Sequence, residues 1–575
     1  MYQLRNTNST FTRISRWGID HFNVWWVTYL LICCSALLAL HPVLKDFSHS
    51  VVSQVTGGIS SDTNNYLYTI QRFAINLSNA RNPFFDPLQN YPDGLDLAYL
   101  DIPWVMYVLV SPVSIAVSPE AAFNSIVLLA HISTAIALAH WAFLLGVRNQ
   151  WALRIASIVS IWLPFRITHS IDHPNIVSTQ FLIIWFIAIE WWIQSTQRTS
   201  RHYYGIALAM ALLVTNSFQY AFIAVIIGTP YILLRITNTP KRAIIWREYG
   251  YGLTALGVGA YIGLFPLLNA QHVQFKAFSA AATVKFSATL MHYITPTAYS
   301  LWAKISTIQA LAHQNTNEQT IFIGIVVGVL ALYGAWRASG YDRRSLGSSI
   351  LVGVLFSFGL AITLSSTLIH TMTIPLPAQL FPFLGITAFR AWARFGGATE
   401  LIVCLFVAIG CEQLLRRVTT RIARYLLVGF LSIGIGGDIF PFYITATPYT
   451  ENPLTSAIAA LPATTTIMLI PNVSSISTAD TLYVIRYQLL RRFIYRQMVS
   501  YGHSAHWPLA YSGFEHDMRR IEEPETSFVL CRNGVTHLIM SNRFWQRTPA
   551  FAQNQYMKSL QVIDEWRIVA LVDCQ

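Results

Sequence analysis

Apolar runs of membrane-spanning length alternate with short polar intervals along most of this chain. A first run from Val24 to Leu44 is followed by others at roughly 119–145, 151–166, 177–193, 249–268, 319–338, 348–368, 396–415 and 425–445, each near the twenty or so residues that cross a hydrocarbon core as a helix. The run from Tyr203 to Ile236 is broken by Thr-Asn-Ser at 215–217 and reads as two spans. The Pro-bounded run from Ile102 to Val117 is either a full span or a re-entrant segment. The pattern predicts about eleven or twelve transmembrane helices within residues 1–445. After Tyr443 the composition becomes that of a soluble protein. Thr466 to Pro471, Thr536 to Ser541 and Arg567 to Val572 read as strands, and Leu482 to Val499 and Glu522 to Arg532 as helices. The predicted fold class is therefore an all-α polytopic membrane protein followed by a small α/β domain over 446–575.

Composition supports this division. Only 11% of the residues are charged and 54% are apolar, whereas a soluble chain carries roughly twice that charge fraction. The net charge of +12 does not point to nucleic acid, because the basic residues fall in short clusters between apolar runs rather than on one soluble face. Clusters at Arg198/Arg201, 235–247, Arg343/Arg344 and 416–424 are expected in the cytoplasm, which places 47–101, 166–175, 271–318 and 370–394 on the outer side. The first apolar run has no small-residue cleavage site after it and reads as a start-transfer helix. Cys33, Cys34, Cys404 and Cys411 lie in apolar runs, while Cys531 and Cys574 lie in the tail, where an oxidising compartment would allow a bridge. No CxxC or HExxH pattern suggests zinc.

The first outer loop, 47–101, is the longest polar interval before the tail. From Gly57 it reads GGISSDTNNYLYTIQRFAINLSNARNPFFDPLQNYPDGLDLAYLD. Tyr66, Ile70, Phe73 and Leu77 recur at helical spacing, so Thr63 to Asn79 is expected to form an amphipathic helix with a run of turns after it. Asp62 stands at the helix start. There it suits an N-cap, and it suits a reactive carboxylate equally by position.

Three further outer stretches carry chemistry. PFRITHSIDHPNIVS, from Pro164, clusters His169, Asp172 and His173 between two spans, where titratable groups ligate a metal, position a phosphate or sit in headgroup water. AFRAWARFGG, from Ala388, puts Arg390 and Arg394 four residues apart, on one face of an expected helix start suited to a phosphate. NEQTIFIG, from Asn317, brings Glu318 to the start of a span, as a cap or facing the cavity. The aromatic set between Tyr495 and Phe514 reads as a domain core, a seam against the membrane part or a sugar-stacking surface.

Together with NPFFDPLQNYPDGLDL at 82–97, PEAAFN at 119–124 and HWPLAYSGF at 506–514, these stretches resemble the bacterial GT-C glycosyltransferases that use polyprenyl-phosphate-linked sugars. Protein O-mannosyltransferases and lipid A aminoarabinose transferases share that fold. The resemblance implies that Asp62 is the catalytic acid of the first outer loop, with Asp93, Asp96, Asp101 and Asp172 as candidates for a second acid. It implies that Arg390, Arg394, His169 and His173 serve the donor phosphate, and that Tyr66, Tyr91 and Glu318 lie on the acceptor side or in the loop. Thr289 stands where near members have an Asp. The implied reaction is inverting transfer from a polyprenyl-phosphate donor to a glycan, lipid or protein acceptor at the outer, periplasmic face of a bacterial inner membrane. No cofactor is required by these residues and no metal ligand is assigned, though a divalent metal is compatible with them. A lipid-linked-sugar transporter or flippase is the alternative; it would carry internal repeats and mid-membrane charges, and neither is evident.

Overall fold

The computed structural model describes residues 25–54, 59–88, 94–195, 197–237, 246–270, 273–275, 280–296, 302, 317–359, 361–363, 373–375, 377–379, 389–439, 444–448, 453–462, 465–470, 496–498, 506–508, 521, 523–532 and 534–573. Among the described residues, six helices are long and apolar enough to cross a membrane: Pro119–Leu144, Pro174–Gln194, Phe218–Thr237, Trp246–Leu268, Arg394–Arg417 and Arg421–Ile439. Trp25–Ala39, Trp104–Ala116 and Ile325–Arg337 are shorter apolar helices beside them. The thirteen residues of Trp104–Ala116 reach about 20 Å at 1.5 Å per residue, short of the roughly 30 Å hydrocarbon core. That length favours the re-entrant reading of this run.

Arg394–Arg417 is, with Pro174–Gln194, one of the two most enclosed of these helices, 78% and 83% of their apolar windows lying inside the protein against 22% for Trp246–Leu268 and 28% for Arg421–Ile439. It crosses Ile325–Arg337 where Gly334 meets the Phe406 carbonyl and Gly410 meets the Leu330 carbonyl. A Cβ on either glycine would collide with backbone, so small residues set this contact, as between membrane helices generally.

The tail sheet has five strands in the order Met557–Ile563, Trp566–Leu571, His537–Ser541, Thr466–Ile470, Arg496–Met498. The last three run parallel and the first two are antiparallel additions. Alternate residues serve opposite faces. Met468, Leu538, Met540 and Val569 pack with Leu530 and Phe551, and Ile467, Ile539 and Ile568 pack with Leu454 and Ile458. Three strands and the helix Pro524–Arg532 fall where the sequence places them. Arg496–Met498 does not: it pairs in parallel with Thr466–Met468 within a stretch expected to be helical, and the rest of 482–499 lies outside the described residues. Cys531 is disulfide-bonded, and Cys33, Cys34, Cys404 and Cys411 are free thiols.

Two pairings join the tail to the outer loops. Ser50–Gln54 pairs antiparallel with Ile444–Pro448, and His506–Pro508 with Val273–Phe275. The second pairing makes part of the aromatic stretch a seam against an outer loop.

Candidate active site

The helix Ser61–Ser78 begins at a fixed point. Ser60 is its N-cap, the Ser60 hydroxyl accepting from the Thr63 amide at 3.0 Å. Asp62, in the first turn, is therefore not the cap, and that reading of Asp62 is overturned by the adjacent serine. The far end is pinned by Asp86, fully buried, which pairs with Arg72 at 3.1 Å, accepts from Tyr68 and takes the Leu88 amide at 3.0 Å. Asn76 holds the Phe85 carbonyl at 2.8 Å.

The loop bearing His169, Asp172 and His173 is anchored by Arg166, which is wholly buried and donates to the carbonyls of Ser160, Ala130 and Val177 and to the Thr134 hydroxyl at 2.6–3.2 Å. The Thr63 hydroxyl donates to the Ile171 carbonyl at 2.8 Å and the Tyr66 hydroxyl to Asn175 at 2.8 Å. These two bonds lock the start of the Asp62 helix onto this loop.

Asp62, Asp172 and His173 meet there. His173 Nδ1 donates to Asp172 at 2.6 Å, and its Nε2 lies 3.7 Å from Asp62. Asp172 and His173 are largely buried, while the Asp62 side chain keeps 48% exposure: it is reachable yet crowded by protein. That crowding raises the Asp62 pKa, opposed by the charge of His173. Burial works against a charged His173, but Asp172 and Asp62 outweigh it and push His173 up to about 9. For Asp172 burial is likewise overcome, and His173 holds it below the usual carboxylate range.

A second cluster adjoins the first, with the His169 and His173 rings 5.4 Å apart. Arg394 grips Glu318 through two nitrogens, Nε at 2.8 Å and Nη2, and donates through Nη1 to Gln219 at 2.5 Å. Burial opposes ionisation of Glu318, but Arg394 keeps it well below its ordinary value. His169 meets Glu318 at 3.2 Å and the Phe165 carbonyl at 2.8 Å, so its ring is engaged on both sides. Among the described residues, three of the five N–H groups of Arg394 are taken, which leaves one on each terminal nitrogen for an incoming anion.

Arg390 and Arg394 do not share a helix face. The helix starts at Arg394, because the preceding amide of Ala393 donates to the Phe286 carbonyl at 3.1 Å and the lead-in is held to an outer loop. Arg390, exposed, lies over the Phe286 ring at 4.8 Å. Burial of its environment and the neighbouring Arg394 lower its pKa, opposed by Glu318 and Asp62. Both arginines thus act electrostatically on the carboxylates and His173 around Asp62, from different backbone settings.

Asp101 is 8% exposed and accepts from Asn175, Ser217, Gln219 and the Phe218 amide, all at 2.9–3.0 Å. Tyr66 lies edge-on to His173 at 6.3 Å. Asp96 is in the short hairpin strand Leu95–Asp96, and Tyr91 and Asp93 lie outside the described residues. Thr289 caps the helix Leu290–Ile294 with His292. Gln219 and Asn175 were not singled out from sequence; the signal was the Thr-Asn-Ser break, whose Asn216 holds the Asn175 and Ser178 carbonyls at 3.0 and 3.1 Å. Two of the carboxylates inside the spans are paired: Glu190 with Arg235 at 2.6 Å, and Asp438 with the Trp302 indole at 2.7 Å.

Asp62, Asp172 and His173 present ligand atoms within 4.8 Å of one another. Two carboxylate oxygens and one imidazole suit a divalent cation, which would have to displace the proton that His173 otherwise keeps.

No protein-family model and no curated protein matches the sequence. Among solved structures 22 chains match. The arabinofuranosyltransferase AftD from mycobacteria superposes with a TM-score of 0.60 at 12% identity, over 96% of this chain and 40% of that one. The Archaeoglobus fulgidus oligosaccharyltransferase, in complex with Zn and sulfate, gives 0.49 at 12% identity over 92% and 71%. ArnT from Cupriavidus metallidurans, bound to undecaprenyl phosphate, gives 0.47 at 9% identity over 95% and 98%. The chain spans about two fifths of the length of AftD. Its fold is similar to that of AftD, a polytopic helical membrane body with a small sheet toward the C-terminus.

Proposed function

We propose that the chain is a membrane glycosyltransferase that moves a sugar from a polyprenyl-phosphate donor to a hydroxyl acceptor, with inversion, at the outer face of a bacterial inner membrane. The observation that carries this reading is a reachable carboxylate, Asp62, beside His173 and within electrostatic reach of Arg390, with Arg394 in the adjoining cluster. A lipid phosphate reaches an enzyme at the membrane surface, so its charge must be met at the outer ends of the spans, where these arginines stand. As the bond from the anomeric carbon to the phosphate oxygen breaks, charge gathers on the departing phosphate, and fixed guanidinium donors stabilise it. Asp62 takes the proton of the acceptor hydroxyl as its oxygen attacks the opposite face of that carbon. Its raised basicity suits the role. A divalent ion, where used, would be held by Asp62, Asp172 and His173 and would supply Lewis-acid stabilisation to the phosphate.

Asp172 orients His173, and Glu318 with Gln219 orients Arg394. The disulfide at Cys531 fits an oxidising compartment. The acceptor is a glycan, a lipid or a protein, and the region after 446 is placed to dock it. The test is transfer by the purified full chain from a labelled polyprenyl-phosphate sugar pool, with the product's anomeric configuration read by NMR. Inverted product is expected. A retained configuration would remove the single-displacement mechanism, and translocation of the donor without transfer would favour a flippase.

A further inference from the structure

Asp101 adopts a left-handed backbone, with φ +51° and ψ +43°, a conformation that non-glycine residues take at a cost and keep where their surroundings impose it. Among the described residues, its carboxylate faces four donors and no cation within hydrogen-bond reach. Oδ1 takes the Phe218 amide at 3.0 Å, and Oδ2 takes Asn175 Nδ2 at 3.0 Å, the Ser217 hydroxyl at 2.9 Å and Gln219 Nε2 at 3.0 Å. Two of those donors are primary amides whose other ends reach the candidate site. Gln219 Oε1 accepts from Arg394, and Asn175 Oδ1 accepts from Tyr66.

We infer that Asp101 is a positioning residue that sets the polarity of both amides and thereby aims Arg394 at the donor phosphate; this rests on the donor reading given above. An ionised carboxylate only accepts hydrogen bonds and a guanidinium only donates. An amide between them has one permitted orientation, carbonyl toward Arg394 and NH2 toward Asp101. Asp101 therefore acts on Arg394 through Gln219 without touching it.

An asparagine at position 101 breaks this logic. Of the four donors only the Phe218 amide cannot turn, so the new carbonyl would stay there and the new NH2 would face Gln219 and Asn175. Both amides would then reverse. Tyr66 tolerates the change, since its hydroxyl also accepts. Arg394 does not, because Gln219 would present N–H to a guanidinium. Moving the carboxylate to position 219 repairs the chain, since a glutamate there accepts from the introduced asparagine and from Arg394 together.

The experiment compares the full-length wild type, Asp101→Asn and Asp101→Asn/Gln219→Glu in lipid nanodiscs, by melting temperature and by affinity for undecaprenyl phosphate. Asp101→Asn is expected to weaken binding about tenfold, the order expected for one lost charge-assisted hydrogen bond. The double variant is expected to melt above the single variant, while its affinity stays below that of the wild type because the carboxylate now on Arg394 competes with the phosphate. A carboxylate that served only to cap the helix at Phe218 gains nothing from the added Gln219→Glu change, so a double variant no more stable than the single would overturn the inference, as would wild-type affinity in Asp101→Asn. Should the wild type bind no undecaprenyl phosphate, the donor reading fails, and with it the stated purpose of the relay. The order of melting temperatures then shows separately whether Asp101 sets the amide polarity.

Discussion

Glu318→Gln removes one charge and almost no bulk from the centre of the site. Its carboxylate takes two bonds from Arg394 and faces His169 at 3.2 Å, with both side chains of the ion pair about nine-tenths buried. Removing one partner of a buried ion pair costs about 3–5 kcal/mol, because the other charge is left behind. Glutamine keeps one acceptor for Arg394, worth about 1 kcal/mol, so the ligand-free protein should lose about 2–4 kcal/mol. The same substitution leaves Arg394 in need of an anion. A polyprenyl phosphate should therefore bind more tightly to the variant. At a hundredfold excess over Kd a ligand adds about 2.7 kcal/mol, and tenfold tighter binding adds about 1.4 kcal/mol more. Thermal unfolding in nanodiscs with and without undecaprenyl phosphate reads both effects: the variant melts lower alone, and the gap narrows with ligand. A variant as stable as wild type without ligand, or a gap that widens with it, would refute the assignment of Arg394 as the donor's anchor held in place by Glu318.

Burial raises Asp101 to about 7, opposed by its hydrogen bonds with Ser217, Phe218 and Asn175 and by the charge of Arg394. The folded protein thus binds a proton between about pH 4 and 7 that the unfolded chain has released, so Asp101's contribution makes stability fall as pH rises through that window. Asp101→Asn should flatten the dependence, seen as a difference in melting temperature from wild type that shrinks from about pH 5 to 8. The relay needs the ionised form, so the wild type's advantage in undecaprenyl phosphate affinity over that variant should grow over the same range. Ser60→Ala should cost about 1 kcal/mol as a lost N-cap and lower transfer only severalfold, because Asp62 remains; complete loss of transfer in a folded protein would mean that Ser60 itself takes part.

Much of the site was readable from spacing. The order of apolar runs separated the loops from the helices, and Asp62, His169, Asp172, His173, Glu318 and Arg394 all fell within polar stretches at run ends, where charge is costly without a use. Three features were not readable. The start of the helix at Arg394 depends on a bond from Ala393 to Phe286, more than a hundred residues away, which no local period reveals. The strand at Arg496–Met498 exists through its pairing with Thr466–Met468, and such tertiary pairing overrides local helical preference. Gln219 and Asn175 matter through hydrogen-bond polarity, and a lone amide at the edge of an apolar run carries no sequence signal of the carboxylate and guanidinium it will separate. Asp62 could not be told from an N-cap in the sequence; only the structure shows that Ser60 caps the helix.

The most direct measurement is transfer from a labelled polyprenyl-phosphate sugar pool by the wild type and Asp62→Asn, with melting temperature and undecaprenyl phosphate affinity recorded for both. The reading of Asp62 as the base requires that the variant fold and bind donor lipid like the wild type while transfer falls by at least a hundredfold, the lower range for loss of a positioned general base (~100- to 10,000-fold). Transfer at the wild-type rate in the variant would contradict it.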